Sequence, residues 1–274
     1  MHRNVPDAHL PGMEQSWNVL TFFLGMFQKS QWRTTFILLY ATFAVTLWKY
    51  LPAETPLVVS TPSGWQMVPP DTAFLSFVEK TMVMFANGKI WGAFLLFGLL
   101  PMGFVKFLFR EKLADYGVRF GNRATLGFTL VLVPVLGVVG WFSGFDPAFY
   151  TVYPYSPWCL GGESHFASGW PFFAMYAVMY LFLYYFSWEF FFRGFLQVGT
   201  EASVGCFNAI LLQTMLSTVV HFGNPCSETL AAVGAGILWG FLAYRCRSLL
   251  TGWLQHASVG ILLDFSLLWH VMSL

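Results

Sequence analysis

Charged side chains are scarce in this chain, and no cysteine motif is present. Asp, Glu, Lys and Arg make up 10% of its 274 residues, whereas soluble domains average about 25%. The formal net charge of +1 gives no basis for nucleic-acid binding, so no nucleic-acid partner is expected. The 4 cysteines show neither metal-type spacing nor a Cys-x-x-Cys pair. We expect no cleavable signal peptide, because residues 1–18 are polar and the apolar run that follows them is short.

Apolar and aromatic residues dominate instead. They reach 57% and 20% of the chain, and the mean hydropathy is +0.60. This composition predicts an all-α, polytopic helical membrane protein with about seven transmembrane helices. The predicted spans are Thr34–Leu51, Ile90–Phe109, Ala124–Phe142, a long one from Trp170 past Arg193, Phe207–Phe222, Leu230–Tyr244 and Leu249–Trp269.

Basic residues predict the orientation of these spans. The loop at residues 106–123 is the most basic in the chain, and Arg245 with Arg247 forms a second cluster. By the positive-inside rule both clusters are cytoplasmic, which also places the N-terminus in the cytoplasm. Residues 1–33 are then a cytoplasmic segment with an interfacial amphipathic helix at Val19–Phe27. Loops 52–72 and 143–168 lie on the other side, and Ala73–Phe85 is a short interfacial or re-entrant helix.

Glu189 and Arg193 stand out because they lie in an otherwise lipid-soluble stretch. They are four residues apart and therefore share one helix face. Ionisable side chains at membrane depth usually face a bundle interior or a water-filled cavity. One interpretation is a structural buried ion pair. The other is a carboxylate held by a guanidinium and available as a general base.

His221, Glu228 and His256 are the other candidates for chemistry. Two histidines and one glutamate in a bundle can hold a metal ion. They can equally hold a water, with the carboxylate as base and an imidazole at the oxyanion. Counting the helical rise puts His256 about 10–12 Å and Glu189 about 15 Å from the cytoplasmic helix ends, whereas His221 comes out at about 20–25 Å. Asp264, farther along the last span, is expected to be a polar packing residue.

Three motifs follow one another in the order of a known family. Trp188-Glu189-Phe-Phe-Phe-Arg193 is similar to a Glu-Glu-x-x-x-Arg motif. Ser217-Thr-Val-Val-His221 is similar to Phe-x-x-x-His, and His256-Ala-Ser-Val-Gly260 is similar to His-x-x-x-Asn. Over about residues 110–270 the chain therefore resembles the CAAX prenyl protease and bacteriocin-processing (CPBP, or Abi) family of intramembrane proteases.

The resemblance implies a membrane-embedded endopeptidase in which a glutamate activates water. Carried over to this chain, Glu189 is the base and His221 its acid/base partner. His256 holds the oxyanion or the water, Arg193 orients the base, and Glu228 is a candidate second carboxylate. The expected substrate is a peptide or protein segment near the membrane, and lipid is the other expected partner. The catalytic domain would be residues 110–274, preceded by N-terminal transmembrane helices at 34–109.

The chain departs from the family at three motif positions. Trp188 replaces the first glutamate, which is the assigned base in the prenyl proteases, Ser217 replaces the phenylalanine, and Gly260 replaces the asparagine. Either Glu189 now serves as base, or the chain is a catalytically inactive membrane scaffold or immunity-type protein.

We expect hydrolysis in a cytoplasm-facing cavity of a bacterial cytoplasmic (inner) membrane protein. No cofactor is required by this interpretation. Zinc remains an alternative, with Glu189, His221 and His256 as its ligands.

Overall fold

The computed structural model describes residues 31–51, 58–62, 64–67, 76, 78–80, 87–156, 158–160 and 166–271. The predicted interfacial helix at Val19–Phe27 lies outside these residues, as does most of Ala73–Phe85.

Within these residues, seven helices form the bundle, and each coincides with one predicted span. They are α1 (Trp32–Tyr50), α2 (Gly88–Leu108), α3 (Arg123–Ser143), α4 (Ala167–Val204), α5 (Cys206–Val220), α6 (Cys226–Cys246) and α7 (Leu250–Val271). Within the described residues, α2, α3, α4 and α6 are long and apolar enough to cross a membrane, and α5 is a shorter apolar helix. The predicted all-α membrane bundle is confirmed.

A small hairpin lies inside the segment that the sequence predicts as a loop. Its strands β1 (Val58–Thr61) and β2 (Gly64–Met67) pair antiparallel, with Val58 opposite Met67.

Helix α4 is the central element. Its 38 residues would extend about 57 Å, far more than the roughly 30 Å hydrocarbon core of a bilayer. Two π-helical segments, Tyr180–Tyr185 and Phe190–Val198, flank a single α-helical turn, Phe186–Glu189. Such insertions redirect side chains and are frequent at functional sites. Here they turn both Glu189 and its neighbour Trp188 into the bundle, where both are buried.

Helices α3 and α7 pack closely because one of them presents glycines. A β-carbon on Gly140 would overlap the backbone carbonyl of Val259, and one on Gly137 would lie 2.8 Å from the side chain of Leu262. Small residues let membrane helices approach in this way. The close contact holds α7, which carries His256, at a fixed distance from α3.

One end of the bundle, here called the basic end, joins the start of α1 to loop 109–122 and to the α6–α7 turn. Arg33 forms a 2.7 Å ion pair with Glu111. The Arg119 side chain donates to the carbonyl of Arg247 (2.6 Å), and the Ser248 hydroxyl donates to the carbonyl of Arg119 (2.5 Å). The predicted basic loop and the second basic cluster therefore lie together.

The other end, here called the opposite end, joins the last turn of α1 to α2, α5 and loop 144–156. Lys89 donates to the carbonyls of Trp48 and Lys49, both at 3.0 Å. Lys49 in turn donates to the carbonyl of Val220 (2.8 Å). These ammonium groups satisfy helix C-terminal carbonyls, where positive charge is favourable.

Candidate active site

Glu189 anchors the first of two polar clusters. Its Oε1 atom accepts from Nη1 of Arg193 (3.1 Å) and from Nδ1 of His256 (2.8 Å). Glu189 and Arg193 are 1% and 2% exposed, so both charges are desolvated and compensate each other. The structure thus brings Glu189, Arg193 and His256 into contact.

His256 is held by two aromatic rings as well as through Nδ1. Its ring stacks on Trp239 at a centroid distance of 4.4 Å and lies 4.7 Å from the ring of Tyr185. Trp239 is itself held by a 2.9 Å hydrogen bond to Gln255. Since Nδ1 donates to the carboxylate, Nε2 is the ring nitrogen available to a ligand.

Glu228 is the centre of the second cluster. Its Oε1 atom accepts from the Tyr153 hydroxyl (2.6 Å) and from Nδ2 of Asn224 (3.1 Å), and lies 3.7 Å from Nε2 of His221. Burial raises the pKa of Tyr153 well above its usual range, so its hydroxyl keeps its proton and remains a donor.

The tautomer of His221 follows from its contacts. Nδ1 lies 2.7 Å from the carbonyl of Ser217, which can only accept, so Nδ1 carries a proton. Nε2 is thereby left facing Glu228. Their 3.7 Å separation is too long for a direct hydrogen bond and is compatible with a bridging water.

Both clusters reach one central cavity of about 190 Å³. Its lining includes Tyr153, Tyr180, Tyr184, Tyr185, Trp188, Arg193, Ser217, His221, Glu228, Trp239, His256 and Gly260. Glu189 is not among the lining residues, and the carboxylate that faces the cavity is Glu228. Of the five predicted catalytic residues, Glu189 thus lies behind the cavity wall and the other four line it.

Trp188 takes the place that the family motif gives to a glutamate. It is 2% exposed, and its indole contacts the rings of His221 (5.9 Å) and His256 (6.2 Å). The two imidazoles therefore approach a shared aromatic wall instead of a shared carboxylate.

Tyr185 occupies the space that the motif gives to asparagine. A β-carbon built on Gly260 would overlap the Tyr185 hydroxyl. The glycine thus makes room for this hydroxyl at the cavity wall, beside His256. Tyr185 was not among the predicted site residues, although its spacing in the run Tyr180, Tyr184 and Tyr185 places three phenols on neighbouring faces of α4. Trp239 and Tyr153 were not predicted either, and no local pattern distinguishes them.

The possible metal ligands Glu189, His221 and His256 do not converge. The rings of His221 and His256 each contact Trp188, at 5.9 Å and 6.2 Å, and the Glu189 carboxylate does not line the cavity. In the part of the chain that the structure describes, no three His, Cys, Asp or Glu residues are grouped as a metal-binding set. Asp264 accepts from the Tyr176 hydroxyl (2.7 Å) and is fully buried, as expected for a polar packing residue.

The prediction that the cavity opens on the same side as the basic loop is wrong. The lining comes from the middle of α4 and α7 and, beyond them, from the ends of α3 and α5, the α6 segment Ser227–Trp239 and loop 144–156. The ends of α3 and α5, the start of α6 and loop 144–156 belong to the opposite end, and no lining residue comes from loop 109–122 or the α6–α7 turn. The helical rise puts His221 about 20–25 Å from the basic end, and in the structure it directly follows the last residue of α5.

Residues 169–262 match the family model described as type II CAAX prenyl endopeptidase Rce1-like. This part of the chain is similar to that family. It runs from α4 into α7 and contains all five predicted site residues, so the resemblance inferred from the motifs is confirmed there. No curated protein and no solved structure matches the chain significantly.

Proposed function

We propose that this protein is an intramembrane endopeptidase that hydrolyses a peptide bond in its central cavity. The observation that carries the proposal is a carboxylate and two imidazoles lining one cavity, Glu228 with His221 and His256. The similarity of residues 169–262 to the type II CAAX prenyl endopeptidases supports the same class of reaction.

Glu228 is the general base in this proposal, in place of the predicted Glu189. Its Oε2 atom is buried and has no hydrogen-bond partner among the described residues, and Nε2 of His221 is 3.7 Å from Oε1. A water held between them would lose its proton to Glu228 as its oxygen attacks the carbonyl carbon. The same proton is then delivered through His221 to the leaving amine as the carbon–nitrogen bond breaks.

His256 and Tyr185 bind the carbonyl oxygen of the substrate in this proposal. The Tyr185 hydroxyl is a donor at the place where the family motif has asparagine. A donor aimed at a developing oxyanion lowers the free energy of the transition state by about 2.7–4 kcal/mol. Glu189 and Arg193 act as positioning residues in this proposal. Glu189 holds Nδ1 of His256 and Arg193 holds Glu189, while the Glu189 carboxylate does not line the cavity.

The bundle also supports a place in the membrane. The chain has helices that could cross a bilayer, and it has an Rce1-like region. Both features are typical of a multi-pass membrane protein. We place it in a bacterial cytoplasmic membrane with its N-terminus in the cytoplasm, because the basic end carries the excess of Lys and Arg. Its partners would be lipid and a polypeptide substrate near the membrane, and zinc is not required.

Turnover by purified protein in liposomes tests this proposal. A set of internally quenched apolar peptides would be incubated with wild type, Glu228→Gln, His256→Ala and the remote control Glu201→Gln. We expect the first two variants to lose at least 10²-fold in rate, while the control retains the wild-type rate. Equal rates in all four proteins would contradict the proposal. Absence of turnover in every protein would favour the membrane-scaffold alternative.

A further inference from the structure

The central cavity has its mouth at the opposite end of the bundle. Val139 and Ser143 lie near the end of α3, Ser227 lies at the start of α6, and Phe149 lies in loop 144–156. These four residues also line a second depression, which adds Val138, Phe142 and Asp146. The cavity is therefore continuous with a groove between α3 and α6.

Toward the basic end the bundle is filled with side chains. Phe190, Phe195 and Thr200 are all 0% exposed. Gln197 donates to the carbonyl of Gly240 (2.9 Å), and a β-carbon on Gly194 would lie 2.8 Å from the carbonyl of Tyr116. This packing separates the cavity from the basic loop.

Charge distinguishes the two ends. The cations that the structure describes at the basic end are Arg33, Lys106, Arg110, Lys112, Arg119, Arg123, Arg245 and Arg247, with the acids Glu111, Asp115 and Glu201. In the described helix ends and connections on the other side, Lys49, Lys80 and Lys89 are balanced by Glu79, Asp146 and Glu228. Among these described residues, only the basic end has a surplus of cations, and such a surplus marks the cytoplasmic side of a membrane protein.

We infer that the cavity is entered from the extracytoplasmic side of the membrane, between α3 and α6. The inference rests on the proposed hydrolase function and on the orientation set by the basic end. The substrate is then a polypeptide segment that reaches the outer leaflet, such as the outer part of a transmembrane helix or an exported chain at the membrane surface.

The groove at the mouth has the chemistry that such a segment needs. Val138 and Phe142 are 54% and 64% exposed and face outward beside the mouth. Ser143 and Ser227 supply hydroxyls at the entrance to the cavity, and Glu228 lies beyond them. An apolar segment can thus remain in contact with apolar side chains while its backbone reaches the polar interior, where unsatisfied peptide groups would be costly.

Two native cysteines report the orientation without reference to activity. Cys226 is exposed at the start of α6, and Cys206 is partly exposed at the start of α5, at the basic end. Variants that keep only one of them would be treated with a membrane-impermeant maleimide in intact cells and in permeabilised cells. Ala148→Cys and Phe120→Cys, in a cysteine-free background, form a second pair at exposed positions of the opposite end and the basic end.

We expect Cys226 and Ala148→Cys to react in intact cells, and Cys206 and Phe120→Cys to react only after permeabilisation. Labelling of Cys206 and Phe120→Cys in intact cells, with Cys226 and Ala148→Cys reacting only after permeabilisation, would overturn the inference. This holds whether or not the protein cleaves a peptide.

The mouth is tested with Ser227→Cys in the same background, assayed with the peptide set before and after a bulky impermeant maleimide. Modification from outside should abolish at least nine-tenths of the turnover, whereas modified Phe120→Cys keeps its rate. Unchanged turnover after complete modification of Ser227→Cys would overturn the assignment of the mouth. If the labelling is as expected but wild type cleaves no peptide, the proposed hydrolase function fails and the location of the cavity stands.

Discussion

Oε1 of Glu189 lies 2.8 Å from Nδ1 of His256 and 3.1 Å from Nη1 of Arg193. One carboxylate oxygen therefore joins α4 to α7 and neutralises a guanidinium that is 2% exposed. The ion pair compensates two charges that would each be costly in isolation.

Removing the carboxylate should destabilise the bundle strongly. We expect Glu189→Met to lower the free energy of unfolding by about 3–5 kcal/mol, because it leaves Arg193 buried and uncompensated. The double variant Glu189→Met/Arg193→Met should recover most of that loss. Unfolding in mixed detergent micelles measures both variants. Equal losses in the single and double variants would show that the pair is not coupled.

Gly252 offers a way to move Glu189 without removing it. A β-carbon on Gly252 would lie 2.9 Å from Oε2 of Glu189, so Gly252→Ala should displace the carboxylate and with it His256. We expect turnover to fall by about 10²-fold, as a misplacement near 1 Å can cause. Gly234→Ala in α6 is the matched control, because its β-carbon would have no neighbour within 4 Å. A similar rate in both alanine variants would argue against a positioning role for Glu189.

The seven helices could be predicted from the sequence because each forms a long apolar run. The Glu189–His256 contact could be predicted because the helical rise puts these two residues at a similar depth below the basic end. The contacts of Glu228 could not be predicted in the same way. They include the hydroxyl of Tyr153, which reaches Glu228 from a loop 75 residues away in sequence. The direction of the cavity also depends on packing between helices, which no local pattern encodes. Tyr185 was missed because its importance follows from the missing side chain at Gly260, on another helix.

Tyr185 should act on the chemical step and not on binding. Tyr185→Phe removes only the hydroxyl next to Gly260, so we expect kcat to fall by about 10²–10³-fold with little change in KM. Tyr40→Phe is the control, because the Tyr40 hydroxyl donates to the carbonyl of Leu96 (2.6 Å) away from the cavity. A rise in KM at constant kcat would instead assign Tyr185 to substrate binding.

Chelation should leave turnover intact. Within the described residues, no three His, Cys, Asp or Glu side chains are grouped as a metal-binding set, and Trp188 contacts the rings of both His221 and His256. We therefore expect purified protein to hold much less than one zinc per chain and to keep its rate after EDTA treatment. Zinc at one per chain, lost in His221→Ala, would contradict this expectation.

Substitution of Trp188 tests whether the protein is a working enzyme or an inactive scaffold. Trp188→Glu restores the Glu-Glu-x-x-x-Arg motif, but it removes an indole that packs on Trp48 at 5.3 Å and on Tyr184 at 5.6 Å. Loss of a buried tryptophan costs about 3–5 kcal/mol, and the new carboxylate is buried as well. Trp188→Gln is the control, since it makes a similar cavity without adding a carboxylate. If Glu228 is the base, both variants should be less stable than wild type and neither should exceed its turnover. Turnover that is absent from wild type and from Trp188→Gln but present in Trp188→Glu would show that the tryptophan ended the chemistry and that the protein now serves as a membrane scaffold.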